Sequence, residues 1–97
     1  MEDTAGHPLP EDVLLLIEVA DSTLESDCGE KAMLYAETGV ADYWVVALEQ
    51  RAIRVFRQPT AEGYQSKLVM HGDEELRPLA FADVVLKPAQ IFAVNLS

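Results

Sequence analysis

Two side chains of opposite charge stand where chemistry could be done. Glu18 interrupts the apolar run Val13 to Ala20 (VLLLIEVA), and Lys31 follows near the start of a helical pattern. Burying an unpaired carboxylate costs on the order of several kcal/mol unless a partner, a metal or a proton offsets it. Glu18 therefore has three readings: a strand-end glutamate reaching solvent, one side of an ion pair with Lys31, or a metal ligand. Lys31 has its own plain reading, a surface lysine paired with Asp27 one turn earlier, which contributes little.

Other reactive residue types have plainer roles. Asp27 with Glu30 three residues on has the form of a capping box, so Asp27 reads as a cap. Tyr35 shares a helix side with Lys31 and reads as core packing. Tyr43 and Trp44 read as sheet packing, since a stacking platform for bases needs a basic surround. His7 and His71 lie far apart with no ligand-spaced partner. Cys28 has no catalytic histidine nearby. Asp73, Glu74 and Glu75 read as a solvated turn.

The elements that position these groups follow from periodicity. An eight-residue apolar run such as Val13 to Ala20 suits a central strand covered on both sides. Alternation places Leu14, Leu16, Glu18 and Ala20 on one face, with Val13, Leu15, Ile17 and Val19 on the other. Glu18 thus lies near the strand's carboxyl end, where α/β-type sites gather. One helix is expected from about Glu25 to Thr38, ended by Gly39. Asp42 to Leu48 is a second strand rich in aromatic and β-branched residues. Ala52 to Arg57 alternates as a third, with Arg54 and Arg57 facing water. A hairpin loop over Gln58 to Gly63 returns as Tyr64 to His71. A short extended piece near Asp83 to Leu86 precedes a terminal helical turn from about Pro88 to Val94, whose Ile91 and Phe92 would cover the core. The fold class is α+β (mixed α/β): one βα unit followed by an antiparallel meander. Residues 1–12 read as a flexible arm, and 13–97 as a single domain.

Composition narrows the class. The 97 residues carry a formal charge of −10. A free-standing nucleic-acid binder carries an excess of Lys and Arg instead. The lone cysteine forms no internal disulfide, the start lacks a signal-peptide pattern, and no apolar stretch reaches the roughly 20 residues that span a bilayer. A cytoplasmic protein with no membrane partner is the expectation.

Five segments, in order, resemble one family: IEVADST, DCGEK, LYAETGVADYWVV, RAIRVFRQP and GDEELRPLAFADVVL. Together they are similar to the Uma-type restriction endonuclease family, over roughly Pro8 to Leu96. That resemblance implies a restriction-endonuclease-like mixed sheet with one main helix, of the PD-(D/E)XK nuclease type. It also implies metal-dependent hydrolysis of DNA phosphodiesters, in which acidic residues hold Mg²⁺ and a lysine positions the attacking water. Glu18 matches the family's strand glutamate, hence a catalytic residue and metal ligand. Lys31 matches its helix lysine, needed because Ala20 fills the usual triplet position. The family's first acid sits in a Pro-Asp dipeptide on a strand upstream of IEV. Pro10-Glu11-Asp12 abuts the Glu18 strand and cannot serve as that motif, and Ala47 stands where the family often has aspartate. The expectation is a half-domain truncated on its N-terminal side, inactive alone. An open strand edge would then pair with a second copy or a complementary chain. The rival expectation is a non-enzymatic assembly module that kept the scaffold.

Overall fold

Alternation builds the first strand. In β1, Leu16–Ala20, Leu16 and Ala20 pack into one core layer, while Ile17 and Val19 line an apolar groove on the opposite face. The structure, a computed structural model, describes residues 13–94. The segment read as an arm, with His7, lies outside the described residues.

Two helices connect β1 to the next strand: α1, Leu24–Cys28, and α2, Glu30–Glu37. The single helix expected over this stretch is divided at Gly29. The backbone there turns to φ −105° and ψ −93°, and a Cβ on Gly29 would stand 2.8 Å from the Glu25 carbonyl oxygen. Only glycine permits that approach. The end of α2 follows expectation. Gly39 takes φ +88°, and the Val40 N–H reaches back to the Tyr35 carbonyl at 3.0 Å, closing the helix with a left-handed glycine.

β2, Asp42–Ala47, lies parallel to β1, with Glu18 opposite Val45. β3, Ala52–Thr60, and β4, Gly63–His71, continue as an antiparallel meander. The result is a four-stranded mixed sheet in the order β1-β2-β3-β4, which agrees with the expected fold class. β3 runs through Pro59, expected in the hairpin loop. Arg57 is the last β3 residue paired with β2, so Pro59 withholds no hydrogen bond from that strand.

Each sheet face has its own core. α1 and α2 cover Tyr43, Val45, Phe56 and Tyr64, with Ala32, Ala36 and Val40 in contact. The polar ends of the buried tyrosines are satisfied by backbone: Tyr43 Oη donates to the Asp27 carbonyl at 2.8 Å and Tyr64 Oη to that of Val40 at 2.6 Å. On the other face, Trp44, Val46, Ile53 and Val55 meet Leu76 and Phe92. A bridge between Leu76 and Leu86 and the final helix α3, Pro88–Val94, hold that layer down, with Phe92 covering the core as its sequence position predicts.

Two further expectations fail. Among the described residues β1 is an edge strand and is not covered on both sides: Ile17 and Val19, with Leu14 just before the strand, are 47%, 62% and 55% exposed. A run apolar on both faces demands a cover but does not supply one. Arg57 does not face water, because the buried carboxylate of Asp42 draws it in, 2.9 Å from Nε to Oδ1.

Candidate catalytic site

Glu18 projects from β1 towards α2, and the helix delivers two partners to it. Lys31 and Tyr35 lie four residues apart and so share a side. Tyr35 Oη donates to Glu18 Oε2 at 3.1 Å, and Lys31 Nζ stands 3.9 Å from Glu18 Oε1. The lysine is closer to Asp27, 3.0 Å from Oδ1. Thr23 Oγ1 donates to the other oxygen of Asp27 at 2.9 Å. Asp27 is buried at 1% exposure, whereas the Glu18 and Lys31 side chains are 29% and 43% exposed. The site is therefore a buried anchor carrying an ammonium group beside an accessible carboxylate.

Asp27 corrects a reading. It does not cap a helix, because the break at Gly29 leaves it inside α1 with its side chain turned into the core. The signal was present in the spacing: threonine, aspartate and lysine recur at intervals of four, at Thr23, Asp27 and Lys31. Such spacing makes one helix face, yet an aspartate near a helix start serves equally as a cap.

The electrostatics fix the protonation of the helix groups. The hydrogen bond to Asp27 and that residue's charge, then the charge of Glu18, raise the Lys31 pKa above its ordinary 10.5. Burial, then the hydrogen bond to Glu18, raises the Tyr35 hydroxyl above 10.0. Lys31 is thus an ammonium donor at neutral pH and not a proton-accepting base. Desolvation likewise pushes the Cys28 thiol up, away from the thiolate a nucleophile needs.

The carboxylates do not by themselves make a magnesium centre. Among the described residues, no group of three or more His, Cys, Asp or Glu side chains converges. Magnesium takes six oxygens, usually one or two carboxylates with waters and substrate phosphates. Glu18 offers accessible oxygens, but Asp27 is already engaged by Lys31 and Thr23. His71 is exposed and lies near Glu74 alone, at 3.9 Å.

The described residues thus form a mixed sheet whose parallel strand β1 carries Glu18, facing Lys31 of α2. A crystal structure from Anabaena variabilis, described as "a putative nuclease belonging to DUF820", superposes with a TM-score of 0.64 at 18% identity. The match covers 81% of this chain and 43% of that one, so this chain spans less than half the length of that structure. The family follows from the sequence: the family model of Uma2, described as "Putative restriction endonuclease", matches residues 2–89. The chain belongs to the Uma2 family. No curated protein matches it. No helix among the described residues is long and apolar enough to cross a membrane.

Proposed function

We propose that this chain carries one half of a metal-dependent DNA phosphodiesterase centre and is inactive alone. The observation that carries the reading is the meeting of β1 and α2: Glu18 and Lys31, distant in sequence, face each other across 3.9 Å, with Lys31 anchored on Asp27. In this reading Glu18 is the carboxylate through which the chain holds Mg²⁺. The ion would neutralise phosphodiester charge and lower the pKa of a bound water. Lys31 is the ammonium that orients the water or the phosphate. In this reading a second carboxylate comes from a strand laid against the edge of β1 that no described residue pairs, and a second copy or a complementary chain is proposed to supply it. Mg²⁺ and Mn²⁺ titrations, each with a DNA cleavage assay, test this on the chain and on its complex with such a partner. Cleavage by the complex that Glu18→Ala abolishes supports the assignment. Cleavage untouched by that substitution refutes it.

A specific observation favours a second reading, a non-enzymatic assembly module. The apolar residues Ile17 and Val19 are 47% and 62% exposed on a strand at the edge of the described sheet, and such edges recruit other strands. Stoichiometric self-association with no divalent-cation binding at millimolar concentration would support the module over the nuclease.

A further inference from the structure

The lysines and arginines of this chain number seven, and most have an evident companion. Lys31 has Asp27, Arg57 has Asp42, and Arg77 has Glu75. Arg51 lies 5.4 Å from the ring centroid of Phe92. Arg54 and Lys67 have no carboxylate within ion-pair reach among the described residues, and they line one hollow. It measures about 200 Å³ and is walled by Cys28, Phe56, Leu68 and Val69.

The sheet register places the two cations together. Arg54 on β3 faces Val69 on β4, and Lys67 faces Phe56 two residues along. They are diagonal neighbours on the helix-covered face, their backbones about 7–8 Å apart. Two like charges would separate in water, but here the strands hold them side by side. Arg54 Nη2 donates to Gln50 Oε1 at 2.9 Å. Its Nε is buried without a partner, and a buried donor left unpaired is an uncommon, costly state. Cys28 and Arg54 also line a second, larger hollow of about 480 Å³ whose wall includes Glu25. Glu62 borders an adjoining hollow together with Lys67. Glu25, Glu62 and Lys67 are all exposed residues, but neither carboxylate lines the hollow that holds Arg54 and Lys67, so that hollow is the one that favours an anion.

We propose that the hollow between Arg54 and Lys67 binds a phosphate group. Phosphate offers acceptor oxygens to the Arg54 guanidinium and the Lys67 ammonium at once, since both residues line the hollow, in the charge-assisted geometry that arginine and lysine favour. The source is either a nucleic-acid backbone or a free phosphate. Arg54 stands in the same cross-sheet row as Glu18, through Val45, two strand spacings or about 9.5 Å away. Only the nucleic-acid source rests on the nuclease reading, since the oxyanion site uses neither Glu18 nor a metal.

The test uses the full chain, ¹⁵N-labelled and metal-free, titrated with inorganic phosphate at constant ionic strength against chloride. The Arg54 Nε–H and the Leu68 and Val69 amide resonances should shift saturably. Lys67→Gln should weaken binding about tenfold, as loss of one charge-assisted contact does, and Arg54→Gln should abolish it. Lys87→Gln removes the same charge elsewhere and should change nothing. A linear, unsaturable response overturns the site, as does an equal response in Lys67→Gln and the parent chain. A single-stranded oligothymidylate that displaces phosphate from the wild-type chain assigns the site to a nucleic-acid backbone. Phosphate binding that the oligonucleotide leaves intact overturns that source and leaves a free phosphate as the ligand. Loss of cleavage in Glu18→Ala tests the nuclease reading separately.

Discussion

Asp42→Asn should unfold much of this protein's stability margin. Asp42 opens β2 fully buried, and its carboxylate accepts four hydrogen bonds. Trp44 Nε1 at 2.7 Å and Arg57 Nε at 2.9 Å reach Oδ1. Arg57 Nη2 at 3.3 Å and the Leu79 N–H at 2.9 Å reach Oδ2. An amide keeps the shape but exchanges one acceptor for a donor. Whichever way it turns, its NH₂ group meets two N–H groups, and Arg57 loses its counter-charge. Breaking a buried ion pair from one side costs about 3–5 kcal/mol. Arg57 retains the Arg77 carbonyl at 2.6 Å and an 18% exposed side chain, which places the loss at the lower end, about 3 kcal/mol. For a chain of this size that corresponds to a fall in Tm of about 12–24 °C. Urea unfolding followed by fluorescence measures it directly, because the chain's one tryptophan, Trp44, is itself bonded to Asp42. The double variant with Arg57→Leu should lose less than the sum of the single losses, since both remove the same interaction. A loss below about 1 kcal/mol in Asp42→Asn, the range of an exposed pair, would refute the reasoning.

Three further outcomes are expected. The Lys31 pKa lies above its ordinary 10.5 chiefly through the hydrogen bond and charge of Asp27, so Asp27→Asn should lower it in an NMR pH titration, and an unchanged value would show the pairing to be absent. Because the folded-state pKa is the raised one, this pairing stabilises the fold fully at neutral pH and up to the unfolded-chain value, then fades as pH rises through the folded value. Wild-type stability should therefore decline more than that of Asp27→Asn above about pH 10.5. Gly29→Ala should destabilise, contrary to the usual gain of about 0.4–1 kcal/mol for Gly to Ala, because the new Cβ meets the Glu25 carbonyl oxygen at 2.8 Å; thermal melts decide the sign. Val19→Lys places a charge on a residue 62% exposed at the β1 edge, so it should leave the fold intact and shift size-exclusion with light scattering from dimer to monomer, whereas a dilute monomeric wild type would remove the basis for edge pairing.

The fold was legible where one periodicity had one physical cause. The aromatic and β-branched run Asp42–Ala47 is buried throughout and became the strand its composition predicts. The bounds of the last helix, Pro88–Val94, follow from a proline start and an apolar pair facing the sheet. Illegible features depended on contacts that periodicity does not report. Gly29 divides the helix through contact with a carbonyl, and an isolated glycine inside a helical pattern is tolerated too often to predict a break. The apolar faces of β1 state that burial is favourable, not which polypeptide supplies it. Asp42 reads locally as the polar first residue of a strand; its burial requires Arg57 from the next strand and the Leu79 backbone from beyond the meander.

The same limit shaped the candidate site, and there it bears on function. Glu18 and Lys31 could be paired from the strand-helix order, but not the distance between them. At 3.9 Å the ammonium lies beyond hydrogen-bonding reach of Glu18, while at 3.0 Å it is held by Asp27. Asp27 can hold it there because Thr23 and Tyr43 fix the end of α1 from two directions, one through the carboxylate and one through the backbone carbonyl. A lysine collapsed onto Glu18 would neutralise the carboxylate and occupy its oxygens. Held aside, it leaves Tyr35 as the partner of Glu18 Oε2 and leaves Oε1 without a hydrogen bond among the described residues. The buried aspartate that reads as a helix cap is therefore what separates an accessible carboxylate from an ordinary strand-helix salt bridge.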